Sequence, residues 1–198
     1  MGKGEVTRAA IISEALSQAV VGGLEGLTLG VLASSLKLSK SGLFAHFKSK
    51  EALQLAVLET AIDRFTRKVV VPALSKAEGV ARLEMLFGNY LDWIRRGDGS
   101  GGCLFVTVAQ EVDDRPGPVR DLLVESQTKW RGVLGQCVAD TVKAKTFRAD
   151  ADPNQIVFEM VGIALSFQHS LKLFGDKRAR LLAEQAFARL IDDNRVLQ

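Results

Sequence analysis

Residues 28–50 read TLGVLASSLKLSKSGLFAHFKSK. Leu29, Leu32, Ala33 and Leu36 recur at helical spacing, Lys37 and Leu38 interrupt them, and a second short helical pattern runs from Ser39 through Phe47. Two short helices joined by a tight turn make a helix-turn-helix. Thr28 and Ser39 stand where N-caps belong, each with a hydroxyl able to accept from a backbone N–H that has no intrahelical partner. Lys37, Lys40, Lys48 and Lys50 punctuate the stretch and no acid does, so its charge suits a surface that meets phosphates.

Outward from that stretch the chain continues as helices. Ala9, Ile12, Ala15, Leu16, Ala19 and Val20 share one face of a first helix over residues 5–22, closed by Gly22-Gly23. Ser49 caps a long helix with Glu51 in its first turn, expected to run to about Val71 and stop before Pro72. Further helices are expected over 76–96, 103–112, 119–145, 152–174 and 177–193, nine in all. Asp152 is the N-cap and Pro153 the first residue of the eighth. The glycine-rich segment Gly97–Gly102 has no preceding strand and no following Gly-Lys-Ser/Thr, so it reads as a helix connection and not a phosphate cradle.

Composition agrees. Of 198 residues 47% are apolar and only four are proline, and no long run alternates with period two, so the fold class is all-α. The net charge of +3 matches that of residues 1–50 taken alone, which leaves the remainder neutral. Cys103 and Cys137 belong to no C-x-x-C or Cys/His cluster, so neither a disulfide scaffold nor a zinc site is expected, and no cofactor is called for. The start MGKGEV has no apolar secretory core, which with reduced cysteines points to the cytoplasm. Glu159, Gln168, His169 and Lys172 interrupt the longest apolar run, Ile156–Phe174, so no membrane span is expected.

The run A-x-x-L-x-L-S-x-x-G-L-F-x-H-F-x-S-K-E-A-L, Ala33 to Leu53, resembles the DNA-binding signature of the TetR/AcrR family of bacterial transcriptional regulators. TRAAIISEAL from Thr7 and the Gly26-Leu27-Thr28 entry resemble that family's first helix and its exit. The resemblance implies a helix-turn-helix DNA-binding domain over residues 1–48 and a helical effector-binding and dimerisation domain over 49–198. It further implies a homodimeric repressor, released from a near-palindromic double-stranded DNA operator by a small apolar or amphipathic effector. Two departures stand out. Lys37 occupies a turn position usually held by Gly, where a left-handed conformation costs roughly 1–2 kcal/mol. Phe44 replaces a Tyr, so a hydroxyl bond to phosphate, worth about 1.5–3 kcal/mol to a charged acceptor, is lost.

Candidate DNA-binding residues are therefore Thr28, Ser39, Lys40, Ser41, Gly42, Phe44, His46, Lys48 and Lys50. Lys40, Ser41 and Gly42 occupy the first turn of the groove-entering helix. Gly42 permits close backbone approach, to DNA or simply to a neighbouring helix. His46 has no nucleophile or acid at a telling offset, and no catalytic constellation is visible anywhere, so an enzyme is disfavoured. A helical interaction module without sequence-specific DNA binding is the other alternative. Glu111, Asp113 and Asp114 could suggest a metal, yet Asp114 before Arg115-Pro116 is equally a helix cap or turn former, and that plainer reading is preferred. Phe65, Phe87, Tyr90, Phe105, Trp130, Leu134 and Phe158 are candidate effector-pocket residues, although aromatics also simply fill bundles. Val161, Ala164, Leu165, Phe187, Leu190 and Ile191, on the last two helices, are candidates for a four-helix dimer interface.

Overall fold

A computed structural model describes residues 3–76, 78–96 and 102–196, apart from the side chains of residues 3, 40, 44 and 76. Its helices are α1 (Lys3–Gly22), α2 (Leu29–Ser35), α3 (Lys40–Phe44), α4 (Lys50–Phe65), α5 (Val71–Lys76), α6 (Gly79–Arg96), α7 (Leu104–Val112), α8 (Pro118–Lys143), α9 (Pro153–Leu173) and α10 (Ala179–Asn194). No strand forms among the described residues. A single antiparallel bridge pairs Phe147 with Arg195, the Arg148 amide donating to the Asn194 carbonyl at 2.9 Å and the Val196 amide to the Thr146 carbonyl at 3.1 Å. The chain is all-α, as its periodicity implies.

The helix expected to stop before Pro72 instead passes through it. After α4 the backbone widens into a π-helical turn, Thr66–Val70, with the Val71 amide reaching back to the Thr66 carbonyl, and α5 then carries Pro72 at its second position. In an unbroken α-helix the Pro72 ring would collide with the carbonyl four residues back and leave one bond unmade. The π-turn absorbs that mismatch by opening the hydrogen-bond ladder ahead of the ring. This adds a tenth α-helix to the nine expected. The glycine-rich connection falls largely at residues 97–101, outside the described residues.

By compactness the chain forms two units, Met1–Arg64 with Arg96–Ser126, and Phe65–Arg95 with Gln127–Gln198. The first is built on Leu16, Leu24, Leu32, Leu43 and Leu53, all fully buried, with Phe47 beside them. The second is built on Leu83, Leu86, Leu91, Ile94 and Phe147. Local chemistry sets the helix ends. The Ser49 hydroxyl accepts from the Ala52 amide at 3.0 Å at the head of α4, and the Asp152 carboxylate accepts from the Asn154 amide at 2.9 Å with Pro153 opening α9. Cys103 and Cys137 are free and buried. Burial pushes the Cys137 thiol above its ordinary range, against the opposing pull of the Arg82 charge.

Candidate nucleic-acid interface

The helix pair α2–α3 is held by its own polar residues. Thr28, in extended backbone, accepts from the Val31 amide at 3.3 Å. Ser39, also extended, accepts from the Gly42 amide at 3.0 Å and meets the Ser41 hydroxyl at 3.1 Å. A Cβ on Gly42 would lie 3.1 Å from the Ser39 hydroxyl, so glycine suits this cap whatever approaches from outside. Between the helices, the Leu38 amide bonds the Ala33 carbonyl at 2.9 Å and the Lys37 amide the Ser34 carbonyl at 3.2 Å. That is a Schellman closure with Lys37 in the left-handed position, at φ +54°. The departure noted in the sequence is thus accommodated by a strained lysine in the ordinary turn geometry. Lys37→Gly should raise folding stability by about 0.5–1 kcal/mol, the left-handed penalty less the extra freedom glycine gains when unfolded. An unchanged or lower thermal midpoint would contradict the strain.

Lys37, Ser41 and Lys48 are exposed and His46 is half-buried. The side chains of Lys40 and Phe44 lie outside the described residues. Leu43 is fully buried beneath α3 and fixes the helix to the body of the domain. Lys50 is differently engaged. Its ammonium donates to the Glu25 carbonyl at 2.7 Å and pairs with the Glu25 carboxylate at 3.6 Å, so it ties α4 to the turn after α1. Gln54 joins it, its amide donating to the Leu24 carbonyl at 2.9 Å. Arg8 lays its guanidinium over the Phe47 ring at 5.0 Å. Glu111, from α7, accepts from the Leu24 amide at 2.9 Å. Arg8, Gln54 and Glu111 were not among the residues singled out for this interface, and no local pattern marks them.

In the second unit, Phe65, Tyr90 and Trp130 come together, with Trp93 as a fourth ring. Phe65 stands edge-on to Tyr90, Trp93 and Trp130 at centroid distances of 5.8, 5.4 and 5.1 Å. Leu134 lies buried one turn beyond Trp130 on α8. The buried Trp130 indole N–H has no acceptor among the described residues, and an unmet buried donor costs roughly 1–3 kcal/mol. Phe105 is buried in the other unit, on α7. Phe158 does not join the pocket set, because it is 64% exposed. On α9 the inward face is Ile156, Val157, Met160, Ala164 and Phe167, and the helical step of about 100° per residue turns Phe158 outward.

The same phase divides the residues expected at a dimer interface between the inside and the outside of the chain. Phe187 stacks on Phe87 at 4.1 Å within the chain, and Ala164, Leu190 and Ile191 are buried beside the chain's own helices. Leu165 is 43% exposed and Val161 partly so, and they share the outer face of α9 with Phe158.

Comparison with known proteins follows this geometry. The family model described as bacterial regulatory proteins, tetR family, matches residues 11–57, and the one described as tetracyclin repressor-like, C-terminal domain, matches residues 79–187. No curated protein sequence matches the chain. Among solved structures, a TetR transcriptional regulator from Chloroflexus aurantiacus J-10-FL is similar with a TM-score of 0.86 at 21% identity, over 97% of this chain and 96% of that one. A TetR-family regulator from Cytophaga hutchinsonii gives 0.84 at 24%, over 100% and 99%. AibR in complex with isovaleryl coenzyme A and operator DNA gives 0.77 at 21%, over 93% and 97%. Helix order, capped helix pair and family models agree: the chain belongs to the TetR family of bacterial regulatory proteins, and is a DNA-binding transcription regulator, not an enzyme.

Proposed function

We propose that the protein is a homodimeric, ligand-responsive repressor, with residues 1–48 reading DNA and residues 49–198 binding an effector and a second copy. The observation that carries the DNA-reading part is the capped pair α2–α3, with Lys37 and Lys48 exposed on it. In a dimer, two copies of α3 enter successive major grooves about 34–36 Å apart on a near-palindromic site. Pairing of copies is supported by α9, which by length and composition is apolar enough to cross a membrane, yet has 28% of its most apolar window buried in the chain. Its outer residues Phe158, Val161 and Leu165 give a second copy an apolar face to cover.

The effector is taken to be apolar or amphipathic, and the unmet Trp130 donor in the second unit favours one carrying a hydrogen-bond acceptor. AibR, of the same fold, has been solved with isovaleryl coenzyme A and operator DNA together. Effector binding then changes the separation of the two reading heads, provided the effector prefers one conformation. Selection of bound genomic fragments followed by footprinting tests the reading. Half-sites one helical turn apart are expected, and a protected region without two-fold symmetry would refute the dimeric arrangement. Lys48→Ala should weaken binding to operator and unrelated DNA alike and lower the salt slope by about one unit. A salt titration that returns the wild-type slope removes Lys48 from the phosphate contacts.

A further inference from the structure

The turn that follows α1 is gripped from two sides. Gly23 takes a left-handed φ of +74°, and the amides after it converge on the carboxylate of Glu111. The Leu24 amide donates to Oε2 at 2.9 Å, and the Glu25 amide is shared between Oε1 and Oε2 at 3.3 and 3.4 Å. Successive amides after a left-handed residue form a concave anion nest, and this one holds a carboxylate from 87 residues further along the chain. Only a glycine leaves room for it, since a Cβ at position 23 would lie 1.7 Å from the Glu111 Oε1. The carbonyls of the same turn go the other way, to α4. Gln54 donates to the Leu24 carbonyl at 2.9 Å and Lys50 to the Glu25 carbonyl at 2.7 Å.

This turn runs directly into Thr28, the cap of α2, so its position sets where the helix pair begins. The amides are held by α7 and the carbonyls by α4. α1 itself is anchored independently by Ile11, Ala15, Leu16 and Ala19, all fully buried. Loss of the carboxylate would therefore release the turn and the helix pair behind it while leaving α1 in place. We infer that Glu111, outside the helix-turn-helix in sequence, is a positioning residue for DNA reading: its carboxylate fills the amide nest at Leu24–Glu25 and fixes the angle at which α2 and α3 are presented.

The inference rests on the assignment of this chain as a DNA-reading regulator, and its test separates the two. Full-length wild type, Glu111→Ala and Glu111→Gln are compared for binding to the selected operator and to unrelated DNA at one salt concentration. Amide hydrogen exchange is followed at Leu24, Glu25 and the core positions Leu16 and Leu58. In Glu111→Ala, operator affinity should fall about tenfold, the equivalent of one lost charged hydrogen bond, with affinity for unrelated DNA about unchanged. Exchange at Leu24 and Glu25 should accelerate about tenfold or more while Leu16 and Leu58 keep their wild-type rates. Glu111→Gln, which keeps one acceptor oxygen in the same shape, should recover part of the operator affinity and decides the matter should the alanine variant fold poorly. Wild-type operator affinity in a folded Glu111→Ala overturns the inference, as does an equal loss on both DNAs accompanied by faster exchange in the core. Where the alanine variant does not fold, wild-type affinity together with wild-type exchange at Leu24 and Glu25 in Glu111→Gln overturns it. A wild type with no preference for any fragment removes the assignment and the inference together.

Discussion

Phe65→Ala should cost about 3–5 kcal/mol of folding free energy, the range for a large aromatic removed from a packed core. The side chain is 6% exposed and stands edge-on to three other rings. Each such contact adds about 0.5–1.5 kcal/mol beyond the area it buries. Truncation removes all three at once and opens a void that Tyr90, Trp93 and Trp130 cannot fill without leaving their T-shaped arrangement. For a chain of this length the thermal midpoint moves roughly 2–4 °C per kcal/mol, so a fall of about 6–20 °C is expected. A chemical denaturation series showing a loss smaller than about 1.5 kcal/mol would mean that the cluster is loosely packed.

The second large effect is expected at a residue without a side chain. Gly23→Ala should destabilise by about 2.5–5 kcal/mol, from two separable causes. A non-glycine residue at φ +74° costs roughly 1–2 kcal/mol. The new methyl also evicts the Glu111 carboxylate, whose bonds to the Leu24 and Glu25 amides are of the charged kind worth about 1.5–3 kcal/mol. A double-mutant cycle separates them. With Glu111 already alanine, the cost of Gly23→Ala should shrink to the backbone strain alone. Additive losses would show that the glycine and the carboxylate act independently.

What the sequence disclosed and what it withheld divide along distance in the chain. Thr28, Ser39, Ser49 and Asp152 were legible because a cap is settled within three residues, by a hydroxyl or carboxylate and the amides just beyond it. Lys37 was legible for the same reason: a turn of known geometry demands a left-handed residue there. Pro72 misled because a proline stops a regular helix, and nothing local shows that a π-turn will form ahead of it. The phase of α9 was hidden by chemistry. Ile156, Val157 and Phe158 are all large and apolar, so composition cannot say which of the three turns away from the core. Phe187 posed the converse problem, since an apolar stripe looks the same whether its partner is Phe87 of the same chain or a second copy. Glu111 stands near Asp113 and Asp114 in an acidic group with no helical or motif pattern of its own. Its carboxylate meets the Leu24 and Glu25 amides in the turn after α1, a pairing that only the folded chain reveals.

The division of the chain into interleaved halves bears on how the protein is made. The first unit includes Arg96–Ser126, with Glu111 among them, so the reading head emerges from the ribosome long before the segment that completes its unit. At about 5–20 residues per second, the intervening stretch takes on the order of seconds to synthesise. During that interval the nest at Leu24–Glu25 waits for its carboxylate. Nascent chains halted before Glu111 should therefore carry folded helices but an unset grip on DNA, and a fragment ending at Arg64 should behave as such a chain does, not as a free-standing domain.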